Sequence, residues 1–422
     1  MKVHVESYGC SANIADAEMI SGLLSQKGYK VLNNDPDSDL NVIVTCTVKD
    51  PTSNKMVKRI KALSSTGKPL IIAGCMPKTE LDKILQINDQ ASLLDPGSVH
   101  LAEDAAKAAL AGEKFESISS KRSNKVLLPR LRSNPVVHIA EVSQGCLSKC
   151  TFCQVKFARG GLVSYRPLDI VKEIEQAVVD GCREIWLTSQ DIGCYGKDIK
   201  TSLPELLNII CDIDGDFMVR VGMMNPMHLD DIIDDLITSY MDPKIFKFLH
   251  IPVQSGSDEI LKLMKRMHSV NDFELTVKKF RNAFPNISLS TDIIVGFPEE
   301  TDLQFQETLD LVRRINFDTV NVSRFGSRPG TEAYSKPILP HKIVKERSKL
   351  MHTVAKSTSH SRNKIWMGWK GKSTIVKNVK NAQVARNLSY KPVILKTNLP
   401  LGSSVNTEIV NYSANCLVGT LI

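Results

Sequence analysis

The sequence predicts an α/β protein in three parts. An N-terminal doubly wound parallel three-layer domain precedes a central partial (β/α) barrel, and a small all-β barrel closes the chain. Three observations predict this order. Strand-like and helix-like segments alternate through the first hundred residues, the alternation resumes from Val136, and five short β-rich segments crowd the tail. Alternating β and α segments select parallel sheets, whereas short strands broken by turn residues select a small barrel.

Residues 1–112 form the first part. KVHVES is a strand, and Asn13 is placed to cap a helix running to Lys27, with Gly28 at its end. NVIVT is a buried strand followed by a helix through Met56, Val57 and Ile60, and PLIIAG is a third strand. Cys10, Cys46 and Cys75 each come just after one of these strands. The carboxyl ends of strands in an open α/β sheet share one edge, where ligands bind, so the three cysteines converge there. One such cysteine would read as a core residue, because free cysteine is often buried. Three at once point to a three-thiolate iron–sulfur cluster with one iron left open.

Residues 113–135, rich in Ser, Lys, Arg and Asn and carrying Pro129 and Pro135, read as a linker. The second part covers 136–360. Its strands are VVHIAEV, EIWLTS, FMVRVGM, FKFLHIPV, ISLSTDIIV and TVNVSRF, with helices such as Leu168 to Asp180 and Leu303 to Ile315 between them. The loop GCLSKCTFC follows the first strand and so lies at the carboxyl mouth, where such barrels place their chemistry. It holds Cys146, Cys150 and Cys153 with the spacing C-x3-C-x2-C. Structural zinc normally closes its shell with four ligands, and no fourth residue follows at ligand spacing. A cubane cluster held by three thiolates leaves one iron for a substrate. Spacing alone favours the cluster and leaves zinc as the alternative.

A basic helical stretch runs from His341 to about Lys364 into the third part, 361–422. STIVKNV, AQVAR, PVILKT, VNTEIVNY and CLVGTLI suggest a barrel of the oligonucleotide-binding type. The whole chain carries a net charge of +8, and the tail holds all of it: nine Lys and Arg against Glu408 alone. A module with that imbalance is a footprint for a polyanion. Lys370, Lys372, Lys377, Lys380, Arg386, Lys391 and Lys396 are candidate phosphate contacts. Trp366, Trp369 and Tyr390 could stack on unpaired bases, or the two tryptophans could pack between domains. Ten cysteines in 422 residues are too few for a disulfide scaffold. Cys182, Cys194, Cys211 and Cys416 read as structural. No apolar run reaches the length of a membrane span, and the N-terminus does not read as a signal peptide, so a reducing cytoplasm is expected.

GCLSKCTFC after a first barrel strand resembles the radical S-adenosylmethionine (SAM) superfamily. The chain as a whole resembles its methylthiotransferases, which join an N-terminal three-cysteine domain, a radical SAM core and a TRAM RNA-binding barrel. SYGCSAN, TCTVK, AGCMP, ARGGLVSYRP, EIWLTSQDIGCYG, FLHIPVQSGSDEILKLMKR, TDIIVGFPEET and RPGTEAY resemble the archaeal and eukaryotic branch. That branch acts on N6-threonylcarbamoyladenosine just after the anticodon of tRNA.

The resemblance implies two [4Fe-4S] clusters and S-adenosyl-L-methionine. Cys146, Cys150 and Cys153 would hold the cluster whose open iron binds SAM and whose electron cleaves it to a 5′-deoxyadenosyl radical. The radical would take hydrogen from C2 of the modified adenine. Cys10, Cys46 and Cys75 would hold the auxiliary cluster that carries the sulfur, with a second SAM supplying the methyl group. Gln190, Asp191, Arg220, Gln254 and Ser255 lie at strand ends where the superfamily contacts SAM, and Gly296 would let backbone approach its adenine. Partners implied are tRNA bearing threonylcarbamoyladenosine, a one-electron reductant and a sulfur donor, acting on a monomer with no membrane. No catalytic residue is assigned beyond the cluster ligands. Rival substrates are isopentenyladenosine in tRNA and an aspartate of a small-subunit ribosomal protein, the latter disfavoured by so basic a tail. A non-catalytic iron–sulfur RNA-binding protein is the rival of another class.

Overall fold

The computed structural model describes residues 1–32, 37–48, 50–118 and 123–422. Lys49 of the TCTVK motif and residues 119–122 of the expected linker lie outside the described residues.

Six parallel strands build the N-terminal sheet, in the order Lys30–Leu32, Lys2–Ser7, Leu40–Thr45, Leu70–Gly74, Ser92–Leu94 and Glu116–Ser117. Leu40–Thr45 and Leu70–Gly74 are buried along their whole length, as parallel strands covered on both faces must be. Val42 and Val44 pack with the helices Ser11–Gln26 and Ala102–Leu110. Ile43 points the other way, onto Met56 and Ile60 of the helix Asp50–Ser64. The period-two alternation of one strand thus sets the three layers. The sequence named three strands. The other three have only two or three residues each, too short to show a pattern.

Two expectations are corrected here. The first helix starts at Ser11 with Cys10 at its cap, so Asn13 lies inside the first turn and does not cap it. Its amide instead donates to the Tyr8 and Thr45 carbonyls, both at 2.8 Å, joining two strand ends. The segment 113–135 is also no free linker. Glu116–Ser117 pairs with Leu93 and Leu94, and Ser133 Oγ donates to Glu18 Oε1 at 2.7 Å. Lys125 is fully buried between carboxylates, which composition cannot reveal.

The central part has two parallel three-stranded sheets. One runs Met218–Arg220, Glu184–Thr188, Val137–Glu141; the other runs Phe248–His250, Ser288–Val295, Thr319–Arg324. Parallel bridges Val219 to Ile245 and Met223 to His250 join them into one open, curved wall. Helices Pro167–Val179, Leu203–Cys211, Val270–Ala283 and Asp302–Ile315 cover it, the last two opened by capping boxes at Ser269 and Thr301.

The tail is a closed five-stranded barrel, Lys370–Val379, Ala382–Asn387, Pro392–Leu395, Ser404–Tyr412 and Leu417–Leu421. Register shifts at Ile375/Lys377 and Ile409/Asn411 give two strands the bend that closure demands. It docks at the amino-terminal ends of the central strands. Asn134 Nδ2 donates to the Val376 carbonyl at 2.9 Å, and Lys247 N to the Leu388 carbonyl at 2.8 Å. The tail therefore sits at the foot of the central barrel, opposite its mouth, and the helix His341–Lys364 runs between the two ends.

Candidate active site

The loop after Val137–Glu141 enters its cysteines through Gly145, at φ +76°. A Cβ there would lie 1.9 Å from the Gly161 carbonyl, so only glycine fits the close approach. Gln190 Oε1 accepts from Gly145 N at 2.5 Å, and Cys146 N donates to the Gly160 carbonyl at 3.2 Å. Thr151 N and Oγ1 donate to the Met264 and Leu263 carbonyls, tying the loop to the far wall. Arg266 closes that side, with Nη1 3.7 Å from Cys150 Sγ and Nη2 on the Pro252 carbonyl at 2.5 Å. Asp191, buried, stands 4.0 Å from Cys146 Sγ and accepts from the backbone of Gly193 and Asn225.

The electrostatics of the three thiols differ. A hydrogen bond from Cys194 and another from Ser148 hold the Cys146 thiol well below its usual range. Burial pushes Cys153 up to about 11. Cys194 is thus a fourth sulfur beside Cys146, brought there by the turn Ile192–Cys194 and hydrogen-bonded to the Asp191 carbonyl at 3.1 Å. Sequence spacing gave no sign of it.

Cys10, Cys46 and Cys75 converge at the carboxyl edge of the N-terminal sheet. Gly9, at φ +104°, allows the approach: a Cβ there would lie 2.5 Å from Cys46 Sγ. Asn13 Oδ1 faces two of the sulfurs, 3.9 Å from both Cys10 Sγ and Cys75 Sγ. Burial pushes Cys75 up to about 12.

The two sites are tied together across the domain boundary. Arg159, six residues past Cys153, is buried and reaches across the domain boundary. Nη2 meets Asn13 Oδ1 at 2.9 Å and Asp16 Oδ2 at 2.6 Å, while Nη1 meets Glu141 Oε1 at 3.1 Å. Lys125 binds Asp16 and, at 2.6 Å, Glu141. Two cations and two carboxylates thus form a neutral buried quartet, the arrangement that makes burial of charge tolerable. Ser11 and Thr188 hydroxyls, 2.6 Å apart, add a second tie between the first helix and the barrel mouth. Arg159 lies in ARGG and Arg266 in LKLMKR, but spacing along the chain shows neither the quartet nor the contact with Cys150.

Other expected contacts fall in different places. Gln190 and Asp191 stand at the mouth beside the loop. Gln254 is there too, in the left-handed region at φ +74°. Ser255 is fully buried and bonded to its own turn and to Thr308 Oγ1 at 3.3 Å, so it faces the helix Asp302–Ile315. Gly296, at φ +76°, admits Val344 of the long helix, whose Cγ2 would lie 2.6 Å from an added Cβ. Arg220 does not reach the mouth. It stacks on Trp186, Phe248 and Tyr390 at 5.7, 5.2 and 5.7 Å, in the interface with the tail.

In the tail, Lys372, Lys377, Lys380 and Lys396 are exposed. Lys370 is exposed and 3.4 Å from Glu408, and Arg386 lies 4.3 Å over the Tyr390 ring. Lys391 is not a surface contact: it is buried, with Nζ 2.6 Å from Asp318 Oδ1 and 2.7 Å from Asn363 Oδ1. Tyr390 packs against Phe246 and Phe248, and Trp366 against Trp369, so these rings serve packing.

The donor sets fit iron–sulfur clusters. Each trio offers three thiols, the ligand type such clusters take. Among the described residues no three His, Cys, Asp or Glu side chains close on a single ion.

Residues 140–312 match the Radical SAM superfamily, and residues 2–94 match an uncharacterized protein family, UPF0004. A probable threonylcarbamoyladenosine tRNA methylthiotransferase of Pyrococcus abyssi is 43% identical over 100% of both chains. The Drosophila melanogaster threonylcarbamoyladenosine tRNA methylthiotransferase is 34% identical over 100% of this chain and 78% of its own. The human protein of that name is 33% identical over 99% and 73%. A radical S-adenosylmethionine methyltransferase of Kitasatospora setae shares the fold, with a TM-score of 0.58 at 14% identity over 79% of this chain and 77% of its own.

Proposed function

The chain belongs to the threonylcarbamoyladenosine tRNA methylthiotransferases of the radical SAM superfamily, and from that membership we propose which residues carry its reaction. The enzyme converts N6-threonylcarbamoyladenosine in tRNA to its 2-methylthio derivative, using S-adenosyl-L-methionine and two [4Fe-4S] clusters. Cys146, Cys150 and Cys153 hold the radical cluster, and Cys10, Cys46 and Cys75 hold the auxiliary one. When bound, the first supplies the electron that cleaves S-adenosylmethionine and the second carries the sulfur.

The chain's own residues do the positioning. Gln190 and Thr151 fix the radical loop at both walls of the mouth. Arg266 sets a positive charge beside Cys150, and Arg159 another beside the auxiliary trio. Asn13 and Arg159 tie the second trio to the segment that follows the first loop, and so would fix the spacing between the two clusters. A one-electron reductant and a sulfur donor come from outside the chain, which works as a monomer in the cytoplasm. Among the described residues no helix is long and apolar enough to cross a membrane.

The observation that carries this reading is the tie between two three-cysteine sites across the domain boundary. Anaerobically reconstituted Cys150→Ala is expected to lose S-adenosylmethionine cleavage. Cys46→Ala is expected to keep part of it and yield no methylthiolated nucleoside by mass spectrometry of digested tRNA. Full product from Cys46→Ala would remove the auxiliary assignment.

A further inference from the structure

The long helix His341–Lys364 links the two ends of the molecule. Near its start, Val344 packs on Gly296 at the mouth, and Arg347 binds Glu300 and Asp302 at 2.7 and 2.6 Å. Near its end, Arg362 meets Asp318 at 3.2 Å, Asn363 donates to the Ser413 carbonyl of the tail at 2.8 Å, and His360 packs on Tyr412. Over 24 residues the helix covers about 36 Å at ~1.5 Å per residue.

Its two faces treat charge differently. The inward arginines are paired with carboxylates. The outward face carries Lys342, Lys345, Lys349, His352 and Lys356, three or four residues apart, so one basic group per turn lies along that stretch, and Lys364 follows about two turns farther on. Glu346 is the sole acid on the helix. Among the described residues no ion pair engages these lysines. Like charges four residues apart, as at Lys345 and Lys349, weaken a helix unless something neutralises them. The lower part of the row also opens on a groove against the tail, lined by His352, Lys356, Ser359, Pro392, Ala414 and Asn415.

We propose that this lysine row is a second docking surface for the tRNA sugar–phosphate backbone, carrying it from the tail at the foot of the barrel to the cysteine loops at the mouth. The need for it follows from the fold. The basic tail and the chemistry lie at opposite ends of the central barrel, so the backbone of a tRNA that meets both must run the length that this helix spans. A continuous cationic line joins the two, matching the regular negative charge of a nucleic-acid strand. The inference rests on the tRNA reading above and adds where the backbone lies.

The test is binding of an unmodified tRNA transcript to the full-length protein across a salt series. Replacing Lys345, Lys349 and Lys356 with Gln is expected to lower the slope of log affinity against log salt by about three, roughly one per lost phosphate contact. The same three positions changed to Arg keep the slope. A charge-matched control, Lys58→Gln, Lys107→Gln and Lys172→Gln, keeps it too. An unchanged slope in the first set overturns the proposal. So does an equal fall in the control, which would reduce the effect to net charge. If the triple variant fails to fold, as read by circular dichroism, Lys349→Gln alone must still lower the slope by about one. Salt-independent binding by the unmodified protein would instead sink the tRNA reading itself.

Discussion

Replacing Arg159 with Gln tests whether the buried quartet holds the two cysteine sites together. Arg159 is 2% exposed and bonded to Asn13, Asp16 and Glu141. Removing one partner of a buried ion pair costs roughly 3–5 kcal/mol, because the remaining charge stays out of water. Here Lys125 still bonds both carboxylates, so the lower end, about 3 kcal/mol, applies. Each ~1.4 kcal/mol is tenfold in an equilibrium. Local opening of the boundary should rise by about two orders of magnitude, read as faster amide exchange in the helix Ser11–Gln26. The double variant Asp16→Asn with Arg159→Gln should cost less than the two single changes added, since Asp16 no longer needs a second cation. Product formation should fall further than S-adenosylmethionine cleavage, because what is lost is the spacing between sites. Unchanged exchange in that helix, or strict additivity in the cycle, refutes the reasoning.

Two more outcomes follow from the thiols. Cys194→Ala should retain radical-cluster iron and cofactor cleavage, as Cys194 already bonds the Asp191 carbonyl and meets Cys146 through a hydrogen bond; loss of iron would make it a fourth ligand. In metal-free protein, brief alkylation at neutral pH should label Cys146 first. Its thiol is lowered, so thiolate is present there, whereas Cys153 at about 11 and Cys75 at about 12 stay protonated until strongly alkaline pH. Peptide mapping that finds Cys75 or Cys153 labelled first would contradict that order.

How much was legible beforehand follows from what kind of signal each feature leaves. Strand ends are local, so Cys10, Cys46 and Cys75 could be brought to one edge from alternation alone, and C-x3-C-x2-C named itself. The longer strands of the N-terminal sheet are legible in the sequence, while its strands of two or three residues are too short to leave a pattern. Arg220 and Lys391 were misplaced because position along a strand says nothing of which domain packs on it. Both are drawn into the seam between barrel and tail, Arg220 by aromatic rings and Lys391 by Asp318.

By itself the sequence determined the order of the three parts, the two trios of cysteines at strand ends and the basic character of the tail. Each is written in neighbouring residues or in a short repeat. The tertiary structure alone decided that Lys125, in a stretch that looks like linker, is a buried counter-ion. It decided too that Arg159 serves the other domain's cysteines, that Cys194 stands beside Cys146, and that tail and mouth lie at opposite ends. The physical reason is that each depends on contacts between segments distant in sequence. For the two cations it is strictest, because burying a charge requires partners that only the packed chain brings together.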